Sequence, residues 1–427
     1  MNGQDQSKKT KKRKTGLDYL LIFWFSLLLV LGVGIGFLMV LKNLREGGSP
    51  QRAAVSEESQ SGTERKGISQ KIPEEAAESQ KEDGSSSGEE ALQAEETGEE
   101  ASEPAPNYPV SSVSLAFAGD ILFDPNYAVM AQINQNGGGI SSAFSPELME
   151  KMREADFFLI NNEFPYSRRG TPLPDKAFTF RADPSSAHYL EDMGVDLVGL
   201  ANNHASDYGE PSLLDTLDTL EQMGMPYIGA GRNLQEASAP YFYEVGDYRI
   251  GFLAATQIEK LDNPDTKGAT DASPGVFRCW NPKRLLEVIA ETKAQCDFLV
   301  VFIHWGSENV EEIDWAQIEQ GPKIAEAGAD LIVGSHPHIL QKIDVVKGVP
   351  VVYSLGNYLF NSRTLDTGLL WAEITPGEGI SELRFLPTRQ ENCKARLLAG
   401  EDKEQVLAHL RNISPGVKID GDGVITW

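Results

Sequence analysis

An α/β domain with a largely parallel or mixed central sheet and helices on both faces is what this 427-residue sequence predicts. The first observation is a recurring unit, a short apolar run that ends in a polar loop. Val113–Ala118 leads into Gly119-Asp120, Phe157–Ile160 into Asn161-Asn162-Glu163, and Leu197–Leu200 into Ala201-Asn202-Asn203-His204. Phe298–Ile303 leads into His304-Trp305-Gly306, Leu331–Val333 into Gly334-Ser335-His336-Pro337-His338, and Val351–Tyr353 into Ser354-Leu355-Gly356-Asn357. The second observation is amphipathic helical periodicity between several of these runs, at Pro211–Met223, Pro282–Lys293 and Trp315–Ala327. No internal repeat is present.

Ahead of this domain the composition differs. Lys8, Lys9, Lys11, Lys12, Arg13 and Lys14 form a basic cluster within a tail of residues 1–18. An uncharged apolar run follows over residues 19–41, long enough to cross a hydrocarbon layer of ~30 Å as a helix. The basic residues assign the tail to the cytoplasm and the remainder to the outside of the cell membrane. The run ends in Val40-Leu41-Lys42-Asn43 without a small-x-small cleavage site, so it reads as an uncleaved single-pass signal anchor. Residues 42–110 are rich in Glu, Ser, Gly, Gln and Ala, and cannot bury enough apolar surface to offset their ordering entropy. They read as a disordered acidic linker that holds the domain of residues 111–427 off the membrane.

The formal net charge of −25 is uneven: about +5 over residues 1–50, −10 over 51–110 and −20 over the rest. An outer domain that acidic is repelled by phosphate backbones, which argues against a nucleic-acid partner. Cys279, Cys296 and Cys393 form no CxxC pair; they allow one bridge and a spare thiol, or three thiols. Tyr241–Val245 and Tyr248–Ala254, joined by Gly246-Asp247, read as a hairpin, and Gly368–Phe385 as further hairpin strands.

The strand ends carry the chemistry. In α/β folds ligands bind beyond the carboxyl ends of the strands. Four of the six histidines, His204, His304, His336 and His338, stand there; His188 and His409 lie in helical patterns and read as surface residues. Pro337 favours extended backbone before it, and side chains two apart in extended backbone point the same way, so His336 and His338 are expected to face one centre. With Asp120 and Glu163 the set offers mixed nitrogen and oxygen ligands, which suit Mn, Fe or Zn better than Ca or Mg.

These motifs, together with Phe178-Thr179-Phe180-Arg181-Ala182-Asp183-Pro184, resemble in order and spacing those of the poly-gamma-glutamate capsule synthesis (CapA-type) family over residues 113–375. That family is similar to calcineurin-like metallophosphoesterases. The resemblance implies a metallophosphoesterase-like four-layer α/β/β/α sandwich with one or two divalent metal ions. Carried over, it makes Asp120 and His338 ligands of one metal, Glu163 a bridging carboxylate, and Asn203, His304 and His336 ligands of the other. It leaves His204 to act on the substrate. Arg181 is a candidate to orient an anionic substrate, with an ordinary surface salt bridge as the alternative. The chain departs from the superfamily pattern at Asp120-Ile121-Leu122, where Asp-x-His is usual, and Asp124 is the nearest substitute.

Two functions remain in view. One is a metal-dependent hydrolase-like enzyme acting in poly-gamma-glutamate or related envelope-polymer synthesis. The other is a non-catalytic subunit that binds the anionic polymer or docks other capsule synthase subunits at the membrane.

Overall fold

The computed structural model describes residues 112–137, 139–259 and 266–427. The tail, the apolar run and the acidic linker read from the sequence lie outside the described residues. Among the described residues no helix is long and apolar enough to cross a membrane.

The chain begins with β1 (Val113–Ile121), α1 (Ala128–Gln135), α2 (Pro146–Glu154) and β2 (Phe157–Asn162). It continues through α3 (His188–Met193), β3 (Leu197–Gly199), α4 (Glu210–Met223), β4 (Tyr227–Ile228), β5 (Ala230–Gly231) and α5 (Leu234–Ala237). The hairpin of β6 (Tyr241–Val245) and β7 (Tyr248–Thr256) follows, then β8 (Gly275–Val276), α6 (Lys283–Lys293), β9 (Phe298–His304), α7 (Trp315–Ala327) and β10 (Leu331–Ser335). Next come β11 (Ile343–Val346), β12 (Val349–Val352), β13 (Asn357–Leu359), β14 (Leu365–Thr375), β15 (Gly379–Glu391) and β16 (Lys394–Leu397). The chain closes with α8 (Gly400–Ile413), β17 (Lys418–Ile419) and β18 (Val424–Thr426).

Two large sheets result. The first has the order β17-β18-β15-β14-β1-β2-β3-β4, with β13 on β1 and β16 on β15; the second is β11-β12-β10-β9-β7-β6. Each has a parallel run: β1 to β4, reaching one edge of the first sheet, and β7, β9, β10 and β12 in the middle of the second. Strands buried on both faces must be apolar at every position, which explains the continuous runs in the sequence. Leu115, Phe117, Phe157 and Leu159 point inward and meet Phe252, Val300, Phe302 and Val333 of the second sheet. Their neighbours Ala116, Ala118, Phe158 and Ile160 point outward and are covered by apolar residues of α1 to α4, such as Val129, Met152, Leu190 and Leu217. On the other outer face Leu299, Val301, Ile303 and Ile332 are covered by Leu285 and Ile289 of α6 and Ile324 of α7. The layers are therefore α/β/β/α.

Local chemistry fixes the helix ends. Asp314 and Gln317 form a capping box at the start of α7, and Gly224 takes φ 73° to end α4. All three cysteines are free thiols. The helix α8 and the short strand β13 had no counterpart in the sequence reading.

One glycine sets the approach of two strands at the site. A Cβ on Gly119 would lie 2.0 Å from the Gly356 carbonyl oxygen, the atom that accepts a hydrogen bond from Asp120 N at 3.1 Å. Gly119→Ala must push β1 from the loop before β13, an overpacking cost of about 1–3 kcal/mol. Thermal unfolding is expected to show the loss as a lower Tm; an unchanged Tm would show that this approach is not needed.

Candidate metal centre

The parallel strands of both sheets deliver their carboxyl ends to one place. Asp120 lies at the end of β1, in register with Asn161 of β2 and Asn357 of β13. Glu163 follows β2, Asn203 and His204 follow β3, His304 ends β9, and His336 and His338 follow β10. All are buried except His338, which is half-buried.

Two overlapping groups could hold a metal ion: Glu163 with His304 and His336, and Asp120 with Glu163 and His338. Glu163 belongs to both, and its Oε1 lies 3.6 Å from His304 Nε2 and 4.0 Å from His338 Nε2. His304 Nε2 also lies 2.8 Å from Asn203 Oδ1 and 3.0 Å from His336 Nδ1, so four donor atoms converge there. Burial pushes His304 and His336 well below their ordinary range, with the neighbouring imidazoles adding to the effect. Both rings are thus neutral, the form that binds metal.

The donor set fits a cation. Glu163 Oε1 and Asp120 Oδ2 are fully buried and receive no hydrogen bond. His338 Nδ1 lies 3.2 Å from Asp120 Oδ2 but closer, at 2.9 Å, to Asn357 Oδ1. Two unsatisfied carboxylate oxygens at no exposure are costly unless a positive charge meets them. The strain is visible in Glu163, whose carboxyl is held well above its ordinary range by burial and then by the charge of Asp120.

Neighbouring amides and a serine hydroxyl brace these groups. Asn161 Nδ2 donates to Asp120 Oδ1 at 2.7 Å, and Asn202 Nδ2 donates to Asn161 Oδ1 at 3.1 Å. Asn202 Oδ1 accepts from His204 N, and Ser335 Oγ lies 2.9 Å from His304 Nδ1.

His204 is held apart from the ligand groups. Its Nδ1 lies 2.7 Å from Asp207 Oδ2, and its ring packs 4.3 Å from that of Phe180. Lys176 Nζ donates to Asp207 Oδ1 at 2.6 Å and also to the Asn203 carbonyl. Burial lowers His204 from its ordinary value, so the ring is neutral at pH 7. With Nδ1–H donated to Asp207, Nε2 carries a lone pair, 4.0 Å from Glu163 Oε1. Neither Lys176 nor Asp207 was singled out in the sequence. Asp207 had a signal, an acid three residues after His204 in a turn; Lys176 had none.

Two sequence expectations change. His336 and His338 are not in extended backbone: their φ angles are 98° and 60°, in the left-handed region. The loop folds back, with Asn309 N donating to Pro337 O at 2.9 Å, so the two imidazoles serve different ligand groups. Asp124 does not replace the absent first-motif histidine, because its oxygens accept from Asn126 N and Arg181 N at 2.8 and 2.7 Å. The position of that histidine is Leu122, packed in the core beneath α1 to α4. Residues 202–208 form bends and turns, from which the Asn203 and His204 side chains diverge. Arg181 stands outside the ligand groups, its guanidinium 4.1 Å from the Tyr208 ring. His188 and His409 are on the surface, beside Asp192 and Glu311.

A two-sheet α/β/β/α sandwich with a buried carboxylate–imidazole centre at its strand ends is the class that fold and site define. Residues 114–362 match the family described as "Bacterial capsule synthesis protein PGA_cap", and the chain belongs to that family. It is 29% identical over 307 residues to the PGA biosynthesis protein CapA of Bacillus subtilis (strain 168), covering 68% of this chain and 77% of that one. It is 27% identical over 322 residues to the capsule biosynthesis protein CapA of Bacillus anthracis, covering 73% and 76%.

Proposed function

We propose that this chain acts in the synthesis of an anionic envelope polymer such as poly-gamma-glutamate, through a metal-dependent hydrolase-like site. Membership of the capsule synthesis family supports the polymer role. The observation that carries the chemistry is the pair of buried carboxylate oxygens without hydrogen bonds, converging with the imidazoles of His304, His336 and His338.

Glu163, Asn203, His304 and His336 would hold one divalent transition metal (Mn, Fe or Zn), and Asp120, Glu163 and His338 a second. Such an ion supplies Lewis acidity and lowers the pKa of a bound water. The remaining work falls to the chain's own residues. His204 Nε2 takes a proton from the water that attacks the substrate, and Asp207 stabilises the imidazolium that forms and fixes its orientation. The same Nε2 then gives the proton to the leaving atom. Lys176 neutralises Asp207 and ties it to the Asn203 carbonyl, so the loop keeps both residues in place. The Phe180 ring shields His204 from water. Arg181, held over the Tyr208 ring, meets an anionic group of the substrate.

A scaffold role has one specific point in its favour, the core residue Leu122 where the related enzymes place a ligand. Polymer output in cells separates the two. The hydrolase reading expects His204→Ala to abolish output while the protein accumulates normally. Full output from His204→Ala, lost only when residues 19–41 are deleted, would establish the scaffold.

The basic cluster and the apolar run motivate the location: a single-pass membrane protein with its N-terminus in the cytoplasm and residues 112–427 outside. Protease added to intact cells is expected to release a soluble fragment by cutting within residues 42–110. Protection of the whole chain until lysis would reverse the topology.

A further inference from the structure

We infer that Arg181 and Arg363 form a two-point anion clamp beside the centre, which selects a substrate carrying anionic groups at intervals along a chain. This rests on the hydrolase reading and assigns the residues by which that site would tell a polyanion from a small monoanion.

The described residues include thirteen arginines. Ten of them lie in ion pairs with Asp or Glu: Arg168, Arg169, Arg232, Arg249, Arg278, Arg284, Arg384, Arg389, Arg396 and Arg411. Arg153 donates to the Asp192 carbonyl. Among the described residues, Arg181 and Arg363 alone have neither kind of partner. In a region of net charge about −20, an arginine without a carboxylate is a cation kept available for another anion.

Both are mounted at the site. Arg181 follows Phe180, whose ring lies 4.3 Å from His204, and the Arg181 backbone N is held by Asp124 at 2.7 Å. Its guanidinium sits over the Tyr208 ring at 4.1 Å and has no carboxylate partner, so its N–H groups remain for a bidentate anion contact. Arg363 stands three residues after Phe360, whose ring lies 4.9 Å from His338 and 5.4 Å from Phe180. Its loop is rigid because buried Gln390 pins it. Gln390 Oε1 accepts from Phe360 N and Asn361 N at 2.6 and 2.9 Å, and Nε2 donates to Asn361 Oδ1 and Arg363 O at 2.8 and 3.0 Å. The Arg363 guanidinium reaches Asn309 Oδ1 at a long 3.5 Å, and Asn309 N is bonded to Pro337, between the two histidines.

The two cations thus stand on the segments that carry the Phe180–Phe360 ring pair, one over Tyr208 in the turn that holds His204 and the other beside Asn309, which bonds the His336–His338 loop. A small monoanion engages one of them. A polyanion passing the centre engages both, which answers how so acidic a domain holds an acidic polymer. Carboxylate and phosphate both fit a guanidinium fork.

The test uses the full-length, metal-loaded chain with a synthetic gamma-glutamyl decamer, inorganic polyphosphate and free glutamate as probes. Arg181→Gln and Arg363→Gln are each expected to weaken decamer binding by on the order of tenfold, and the double variant by more, as for hydrogen bonds to charged groups. Its salt dependence should flatten, and metal content should equal wild type. Arg363→Lys should recover part of the loss. Tighter binding of polyphosphate than of the decamer would make phosphate the anion source. Equal decamer affinity in the double variant, or a wild-type chain that holds metal but binds neither polymer, would overturn the clamp. Failure of the wild-type chain to bind metal would instead overturn the hydrolase reading.

Discussion

His204→Ala is expected to lower hydrolysis of a gamma-glutamyl chain or a phosphodiester by about 10²–10⁴-fold, the usual contribution of a general acid or base. The metal content of the variant is expected to equal wild type, because His204 Nδ1 is committed to Asp207 and its ring packs on Phe180 rather than joining either ligand group. Asp207→Asn should cost a large part of the same factor, since the amide can offer its N–H to Nδ1 and favour the wrong tautomer. Turnover by His204→Ala at the wild-type rate would remove the residue from the chemistry.

Glu163→Gln is expected to cost more than about 10²-fold in metal affinity, beyond the 10–100-fold typical of an outer-shell change, because Glu163 belongs to both ligand groups. Its effect on stability should run the other way in metal-free protein. The Glu163 carboxyl is held above its ordinary range by burial and then by Asp120. The folded chain therefore keeps a proton that the unfolded chain releases, and stability falls as pH rises above the ordinary glutamate range. Gln at this position carries no such penalty. Metal-free Glu163→Gln should melt above metal-free wild type at neutral pH, and the order should invert when metal is added. The same order in both conditions would mean that Glu163 is not a ligand.

Much of the fold was legible because β1, β2, β9 and β10 are buried on both faces, which forces uninterrupted apolar runs that stop where the site begins. The hairpin at Gly246-Asp247 and the helix Trp315–Ala327 were legible for equally local reasons, a turn pair and a capped periodic segment. The three-residue strand β13 was not, because its pairing with β1 depends on the close approach of Gly119 to Gly356 rather than on its own composition. At the site, the ligand positions were legible as polar residues at strand ends. The His336-Pro337-His338 geometry was not, since the bond from Asn309 to Pro337 overrides the local preference for extended backbone. Lys176 was illegible for a similar reason. Its bonds to Asp207 and Asn203 span 31 and 27 residues and leave no local pattern.

The most direct measurement is equilibrium titration of chelator-treated, full-length wild-type chain with Mn, Fe(II) and Zn, with elemental analysis of the product. A centre built from Asp120, Glu163, Asn203, His304, His336 and His338 predicts at least one bound transition metal per chain, lost in both His304→Ala and His336→Ala while each stays folded. A folded wild-type chain that binds none of the three metals would contradict it.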